Sequence, residues 1–243
     1  MGVLVRVFHM VLDQMEQAFR KLEASVSAPI KLSTGRGFTL RYKEKSPHQM
    51  LLQKFARLIS GLHSLEILNK AGYIQEQCVI QRSLDEIEED IIFICIGIIY
   101  EDWTDHHKRY EEYFWMEEPG QPTVRRHKIR AYVNRHSGEE DLSTANENGK
   151  LLYKTYSGYA HAASANVMEM CFDDPPLYRL AGQIHSPLYQ DHVNDLWNYY
   201  YRGLIAIPYM AKAFGNEQLG EESLKSLRAF EKVFSREVLP AAK

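Results

Sequence analysis

Two strips of polar residues in the sequence combine side-chain types that can carry chemistry. Arg82 and Glu86 are four residues apart in a segment whose apolar residues recur at helical spacing, so both side chains fall on one helix face. Tyr153, Ser157 and His161 are also spaced by four, which aligns a phenol, a hydroxyl and an imidazole on a later helix. If the two helices pack together, the five residues form one polar cluster. Such a cluster either satisfies its own charges inside a bundle or lines a ligand or catalytic site, and the sequence leaves both interpretations open.

A second candidate site is the basic segment between residues 125 and 136. Its candidate nucleic-acid contacts are Arg125, Arg126, Lys128 and Arg130, because a helix with such charges can bind phosphates. The alternative is an exposed helix that balances the acidic residues at 111–118. The whole chain has a net charge of -3 at pH 7, so no global positive field attracts nucleic acid or an anionic membrane. Any such binding has to be local, and we expect RNA binding to be weak.

Residue spacing argues against the common metal and phosphate motifs. His106 and His107 are adjacent and point to different faces of a helix, and neither HExxH nor an ExxH on two helices occurs, so we predict no metal site. Gly35-Arg36-Gly37 is too short for GxGxxG, and the sequence has neither GxxxxGK[ST] nor GxSxG. We therefore predict no cofactor and no nucleotide hydrolysis by these loop motifs.

Cysteine usage and hydropathy predict a cytoplasmic protein. Cys78, Cys95 and Cys171 are far apart and form no CxxC pair, which argues against a disulfide framework. The N-terminus has no signal-peptide pattern. The longest apolar run, Ile91–Tyr100, has ten residues, fewer than the roughly 18 needed to span a bilayer, so we predict no membrane association.

The elements that position these residues are predicted to be helices. Apolar residues at steps of three and four predict an all-α, single-domain bundle of six or seven helices over residues 1–243, with a core at 47–240. The residues at 31–46 show no helical stripe and predict an exposed loop or short hairpin. The predicted helices are 3–27, 47–72, 73–115 (as one long helix or two collinear ones), 123–136, 147–170, 187–215 and 224–238.

Two further patterns concern packing. Small residues between Gly158 and Ala165 lie in the middle of the helix predicted at 147–170 and would allow a neighbouring helix to approach closely. The aromatic run Trp197–Tyr201 covers all faces of its helix, so some of these rings are expected to be exposed or to meet another subunit. Exposed aromatic residues often mark interfaces, and we predict a homo-oligomer, with a protein partner as a further possibility.

Short motifs in the chain resemble a bacterial all-helical family of unknown function. The resemblance rests on Ala71-Gly72-Tyr73 before Arg82-Ser83-Leu84-Asp85-Glu86, and on the later Tyr153 to His161 segment with Ser157 and His161, within roughly Gln49–Phe214. That family is distantly similar to HEPN helical domains, many of which cleave or bind RNA in toxin and phage-defence systems. The resemblance implies a homodimer in which an Arg stabilises the scissile phosphate and a His acts in acid–base chemistry.

The sequence departs from the HEPN catalytic motif, which has an Arg followed by a polar residue and then a His, with four to six residues between the Arg and the His. None of the loose matches has a four-residue gap, and the residues after each Arg are Tyr, Leu, Ala and Leu. The four matches are Arg41 to His48, Arg57 to His63, Arg130 to His136 and Arg179 to His185. We therefore expect a non-enzymatic or ligand-sensing helical protein, an accessory of a bacterial defence or stress system. The alternative is a HEPN-like, metal-independent ribonuclease that acts as a homodimer.

Overall fold

The structure, a computed structural model, describes residues 2–116, 124–136 and 142–236. Within these ranges the chain forms nine helices and one antiparallel hairpin, so the prediction of an all-α fold with a short hairpin near 31–46 is confirmed. The elements are α1 (Gly2–Glu23), β1 (Ile30–Thr34), β2 (Gly37–Arg41), α2 (Pro47–Ala71), α3 (Ile74–Ile99), α4 (Asp105–Phe114), α5 (Arg126–His136), α6 (Leu142–Ala160), α7 (Ser164–Met168), α8 (Tyr189–Ala213) and α9 (Glu217–Phe234).

Local signals set both ends of α2. Ser46 and Gln49 form a capping box, in which each side chain accepts from the other residue's backbone N–H, and Pro47 occupies the first turn. The helix ends at Gly72, whose φ of 78° lies in the left-handed region. A Cβ at Gly72 would also lie 2.7 Å from Cγ2 of Ile184. Glycine is therefore required there for both conformation and space.

Helix α3 is the central element of the bundle. It packs against α2, α5, α6 and α8, and residues 91–96 are at most 4% exposed. This run of β-branched residues forms a helix because apolar partners surround it and no second such run exists to pair with it in a sheet. One hydrophobic core joins α3 to α1, α2, α5, α6, α8 and α9.

The chain reverses after α3, so the prediction of one long helix or two collinear ones over 73–115 is wrong. Helix α3 ends at Ile99, and α4 folds back along it. The N–H of Thr104 donates to Nδ1 of His107 (3.1 Å), whose Nε2 donates to the carbonyl of Phe93 (3.1 Å). The His107 and Phe93 rings stack at 3.8 Å. Gly97 makes this approach possible, because a Cβ there would lie 2.6 Å from Nε2 of His107.

The helix predicted at 147–170 is also broken in two. Helix α6 ends at Ala160, Ala162 has a φ of 50°, and Ala163 is the N-cap of α7. The small residues therefore form the turn between α6 and α7 and do not lie in the middle of a continuous helix. Gly158 leaves room for the side chain of Asn166 on α7.

The aromatic run on α8 is buried. Trp197, Tyr199, Tyr200 and Tyr201 are at most 6% exposed, because α8 packs against α1, α2, α3 and α9. The expectation that some of these rings are exposed is wrong. They supply no interface, and the homo-oligomer stays a prediction.

Candidate functional site

A cleft of about 980 Å³ lies among α2, α3, α4, α5 and α6. Five of its lining side chains are Lys or Arg and two are carboxylates, so the cleft is predominantly positive. The lining residues are Lys54, Glu86, Asp90, Tyr110, Tyr113, Val124, Arg125, Arg126, His127, Ile129, Arg130, Ala131, Lys150 and Tyr153.

The carboxylate of Asp90 organises the cleft. Asp90 is 6% exposed and accepts hydrogen bonds from Lys54 Nζ (2.8 Å), Tyr110 Oη (2.5 Å) and Arg126 Nη1 (2.7 Å). These bonds connect α2, α3, α4 and α5. Burial, followed by the charge of Asp90, raises the pKa of Tyr110, so this hydroxyl stays protonated and donates. Arg126 also donates to the carbonyl of Glu86 (3.0 Å).

The four predicted nucleic-acid contacts fall into two groups, namely two arginines in ion pairs with α3 and two exposed cations. Arg126 is paired with Asp90, and Arg130 is paired with Glu89 at 2.8 Å. The Arg130 and Glu89 side chains are only 12% and 15% exposed, so both arginines hold α5 against α3. Arg125 and Lys128 are exposed, and of these two Arg125 lines the cleft.

Two cations of the cleft differ from the paired ones described above. Arg125 and Lys150 are exposed, and within the part of the chain that the structure describes neither makes an ion pair. They lie in the same cleft as Lys54, Arg126 and Arg130, each of which pairs with Asp90 or Glu89. Arg125 and Lys150 are therefore the groups available to an anion.

Three residues of the predicted polar cluster meet at this cleft. Arg82 pairs with Glu86 at 2.7 Å, and its guanidinium lies 3.7 Å from the ring centroid of Tyr153. Burial alone would lower the pKa of Arg82, but the hydrogen bond and charge of Glu86 outweigh it and raise the pKa. The pair is only partly buried, since Glu86 is 37% exposed. Glu86 and Tyr153 also line the cleft.

The other two residues of that prediction do not join this contact. Ser157 is half-buried, and His161 is exposed in the turn after α6. The two residues are linked by a backbone hydrogen bond from the His161 N–H to the Ser157 carbonyl, at 3.1 Å. The backbone of His161 therefore continues the last turn of α6, but its side chain is exposed and makes no hydrogen bond or ion pair with Arg82 or Glu86.

The sequence patterns do not predict four residues that build the cleft, namely Lys54, Asp90, Tyr110 and Lys150. One signal was present for Asp90. It follows Ile87 by three residues and precedes Ile94 by four, so it occupies a position of the apolar stripe. A charged residue there requires buried partners.

A second polar network lies between α3 and α8. Arg202 Nη1 is 3.2 Å from Asp85 Oδ1 and 3.5 Å from Glu88 Oε2. Burial raises the pKa of Asp85 to about 6 and that of Glu88 to about 7, although Arg202 opposes both shifts. These residues flank the Arg82–Glu86 strip but are absent from the lining of the cleft, so we assign them to helix packing.

Cys78, His192 and Glu169 have the order of a nucleophile, base and orienting acid. Cys78 Sγ is 3.5 Å from His192 Nδ1, and His192 Nε2 is 4.0 Å from Glu169 Oε2. Cys78 is, however, 0% exposed, and burial raises its pKa while lowering that of His192. A buried thiol that stays protonated is not a nucleophile.

In each of the four loose HEPN matches, the side chain of the Arg or the His is bonded to a residue outside the match. His48 bonds to the carbonyl of Ala213, His63 to Glu16, Arg130 to Glu89 and Arg179 to Asp173. Arg130 is the one member of these pairs that lines the cleft described above. The geometry therefore adds nothing to the ribonuclease alternative.

In residues 2–116, 124–136 and 142–236, no group of three or more His, Cys, Asp or Glu side chains is arranged to hold a metal ion. None of the helices in these ranges is long and apolar enough to cross a bilayer. No protein-family model, curated protein or solved structure matches the chain.

Proposed function

We propose that this is a ligand-sensing helical protein whose cleft binds a small organic anion. The observation that carries the proposal is that the exposed Arg125 and Lys150 make no ion pair with any described residue, while the other Lys and Arg residues of the cleft pair with Asp90 or Glu89. A charged ligand with two or more negative groups would complete this balance. The resemblance to the bacterial helical family supports an accessory role in a defence or stress system.

The size and chemistry of the cleft support binding of a small molecule. Its volume of about 980 Å³ lies at the upper end of the range for small-molecule sites. The ring of Tyr153 at the rim offers an apolar surface to an organic ligand. Asp90 is fully engaged by its donors, and Tyr110 stays protonated, so neither serves as a general base.

The test is calorimetric titration with citrate and pyrophosphate as probes. The double variant Arg125→Ala/Lys150→Ala removes both exposed cations of the cleft, and we expect it to bind at least about tenfold more weakly than the wild type, since each charge-assisted hydrogen bond contributes about 1.5–3 kcal/mol. The matched control is Lys225→Ala/Arg228→Ala, which removes two exposed cations from α9.

Two results contradict the proposal. One is equal affinity of the wild type and the Arg125→Ala/Lys150→Ala variant for a probe that binds. The other is loss of affinity in the control as large as in the cleft variant, because binding would then follow net charge alone.

A further inference from the structure

The β1–β2 hairpin exposes apolar side chains on both of its faces. In the register of the two strands, Leu32 lies opposite Thr39 and Lys31 lies opposite Leu40. Ile30 and Leu32 therefore share one face, and Phe38 and Leu40 share the other. The exposed fractions of Ile30, Leu32, Phe38 and Leu40 are 44%, 42%, 61% and 49%.

The same segment carries only positive charge. Residues 24–43 contain no Asp or Glu, although the whole chain has a net charge of -3. Lys31 lies on the face of Phe38, with its Nζ 4.9 Å from the ring centroid. The basic residues of the segment are Lys31, Arg36, Arg41 and Lys43.

We propose that this hairpin docks on the surface of an anionic lipid bilayer. Shallow insertion buries the apolar side chains of both faces together, while the cations contact lipid headgroups. The flat surface of a protein would cover one face of a two-stranded ribbon and leave the other in water. Nucleic acid would match the cations but would leave the aliphatic side chains of Ile30, Leu32 and Leu40 without an apolar partner.

The unpaired strand edges limit the depth of insertion. A two-stranded hairpin leaves backbone N–H and C=O groups at its edges, and the hydrocarbon core of a bilayer offers them no hydrogen-bond partner. The hairpin therefore lies at the level of the headgroups and does not span the membrane. The prediction of no membrane association rested on net charge and on the length of apolar runs, neither of which describes a short hairpin.

The test is sedimentation of the full chain with vesicles. One set contains phosphatidylcholine alone, and the other contains about 30% phosphatidylserine. We expect binding to the anionic vesicles, weakening as salt is added because the charges are screened. Lys31→Gln/Arg36→Gln should lower the partition coefficient about 25-fold, since each basic residue near an anionic surface contributes about fivefold.

A second variant, with a matched control, tests the contribution of the apolar side chains to vesicle binding. Phe38→Ser/Leu40→Ser should lower binding to anionic vesicles at least about tenfold. Met10→Ser/Val233→Ser removes two side chains of similar exposure, 61% and 58%, from α1 and α9, and it should bind like the wild type. Circular dichroism checks that each variant keeps the helical fold.

Four results would overturn the proposal. They are equal binding to neutral and anionic vesicles, wild-type binding by both hairpin variants, a loss in the control as large as in Phe38→Ser/Leu40→Ser, and tighter binding to labelled RNA than to anionic vesicles. The last would assign the hairpin to nucleic acid. Arg125→Ala/Lys150→Ala should keep full vesicle binding, so this test is independent of the cleft.

Discussion

Removal of the Asp90 carboxylate tests the charge network under the cleft. In Asp90→Ala, Lys54 and Arg126 lose their shared counter-charge while their side chains are only 13% and 22% exposed. Breaking a buried ion pair costs about 3–5 kcal/mol, and loss of the Tyr110 hydrogen bond costs about 1 kcal/mol. Both cations border the cleft and regain some hydration, so we expect the free energy of unfolding to fall by about 4 kcal/mol.

Urea denaturation followed by circular dichroism measures this loss. With a denaturant slope of about 3 kcal/mol/M for a chain of this size, the midpoint should fall by about 1.3 M. The matched control is Asp13→Ala, which removes an exposed aspartate from α1. We expect it to change stability by less than about 0.5 kcal/mol.

The double variant Asp90→Ala/Arg126→Ala distinguishes a charge network from simple packing. Because Asp90 and Arg126 contact each other directly, the loss in the double variant should be smaller than the sum of the single losses by about 1–3 kcal/mol. Additive losses, or a midpoint shift in Asp90→Ala of less than about 0.3 M, would refute the reasoning.

Two further predictions concern helix packing. Burial gives the Glu88 carboxyl a pKa of about 7 in the folded state, above its unfolded value of about 4.5. Its contribution to stability is therefore complete below about pH 4.5 and is lost as the pH rises through about 7. Glu88→Gln has no carboxyl to titrate. As the pH rises from 5 to 8, the unfolding free energy of the variant minus that of the wild type should therefore increase by about 2–3 kcal/mol. Urea midpoints of the two proteins that change equally between these pH values would contradict this. Gly97→Ala places a Cβ 2.6 Å from Nε2 of His107, so we expect a loss of about 1–3 kcal/mol from overpacking. A thermal midpoint equal to that of the wild type would show that α4 can move away from α3 without cost.

Local sequence signals determined the secondary structure and its clearest boundaries. Ser46, Pro47 and Gly72 mark the ends of α2 because capping and the left-handed turn depend only on residues near in sequence. The Arg82–Glu86 pair was predictable for the same reason, since a spacing of four on one helix fixes the contact.

The tertiary structure decided which side chains meet across helices. Asp90 contacts Lys54 and Arg126, each 36 residues away in sequence, and such contacts depend on how helices rotate and where the chain reverses. The reversal after Ile99 brings α4 back to α3, and the turn after Ala160 separates α6 from α7. Periodicity sets which face of a helix is apolar. It does not set which polar groups of other helices lie opposite, because that depends on packing of the whole core.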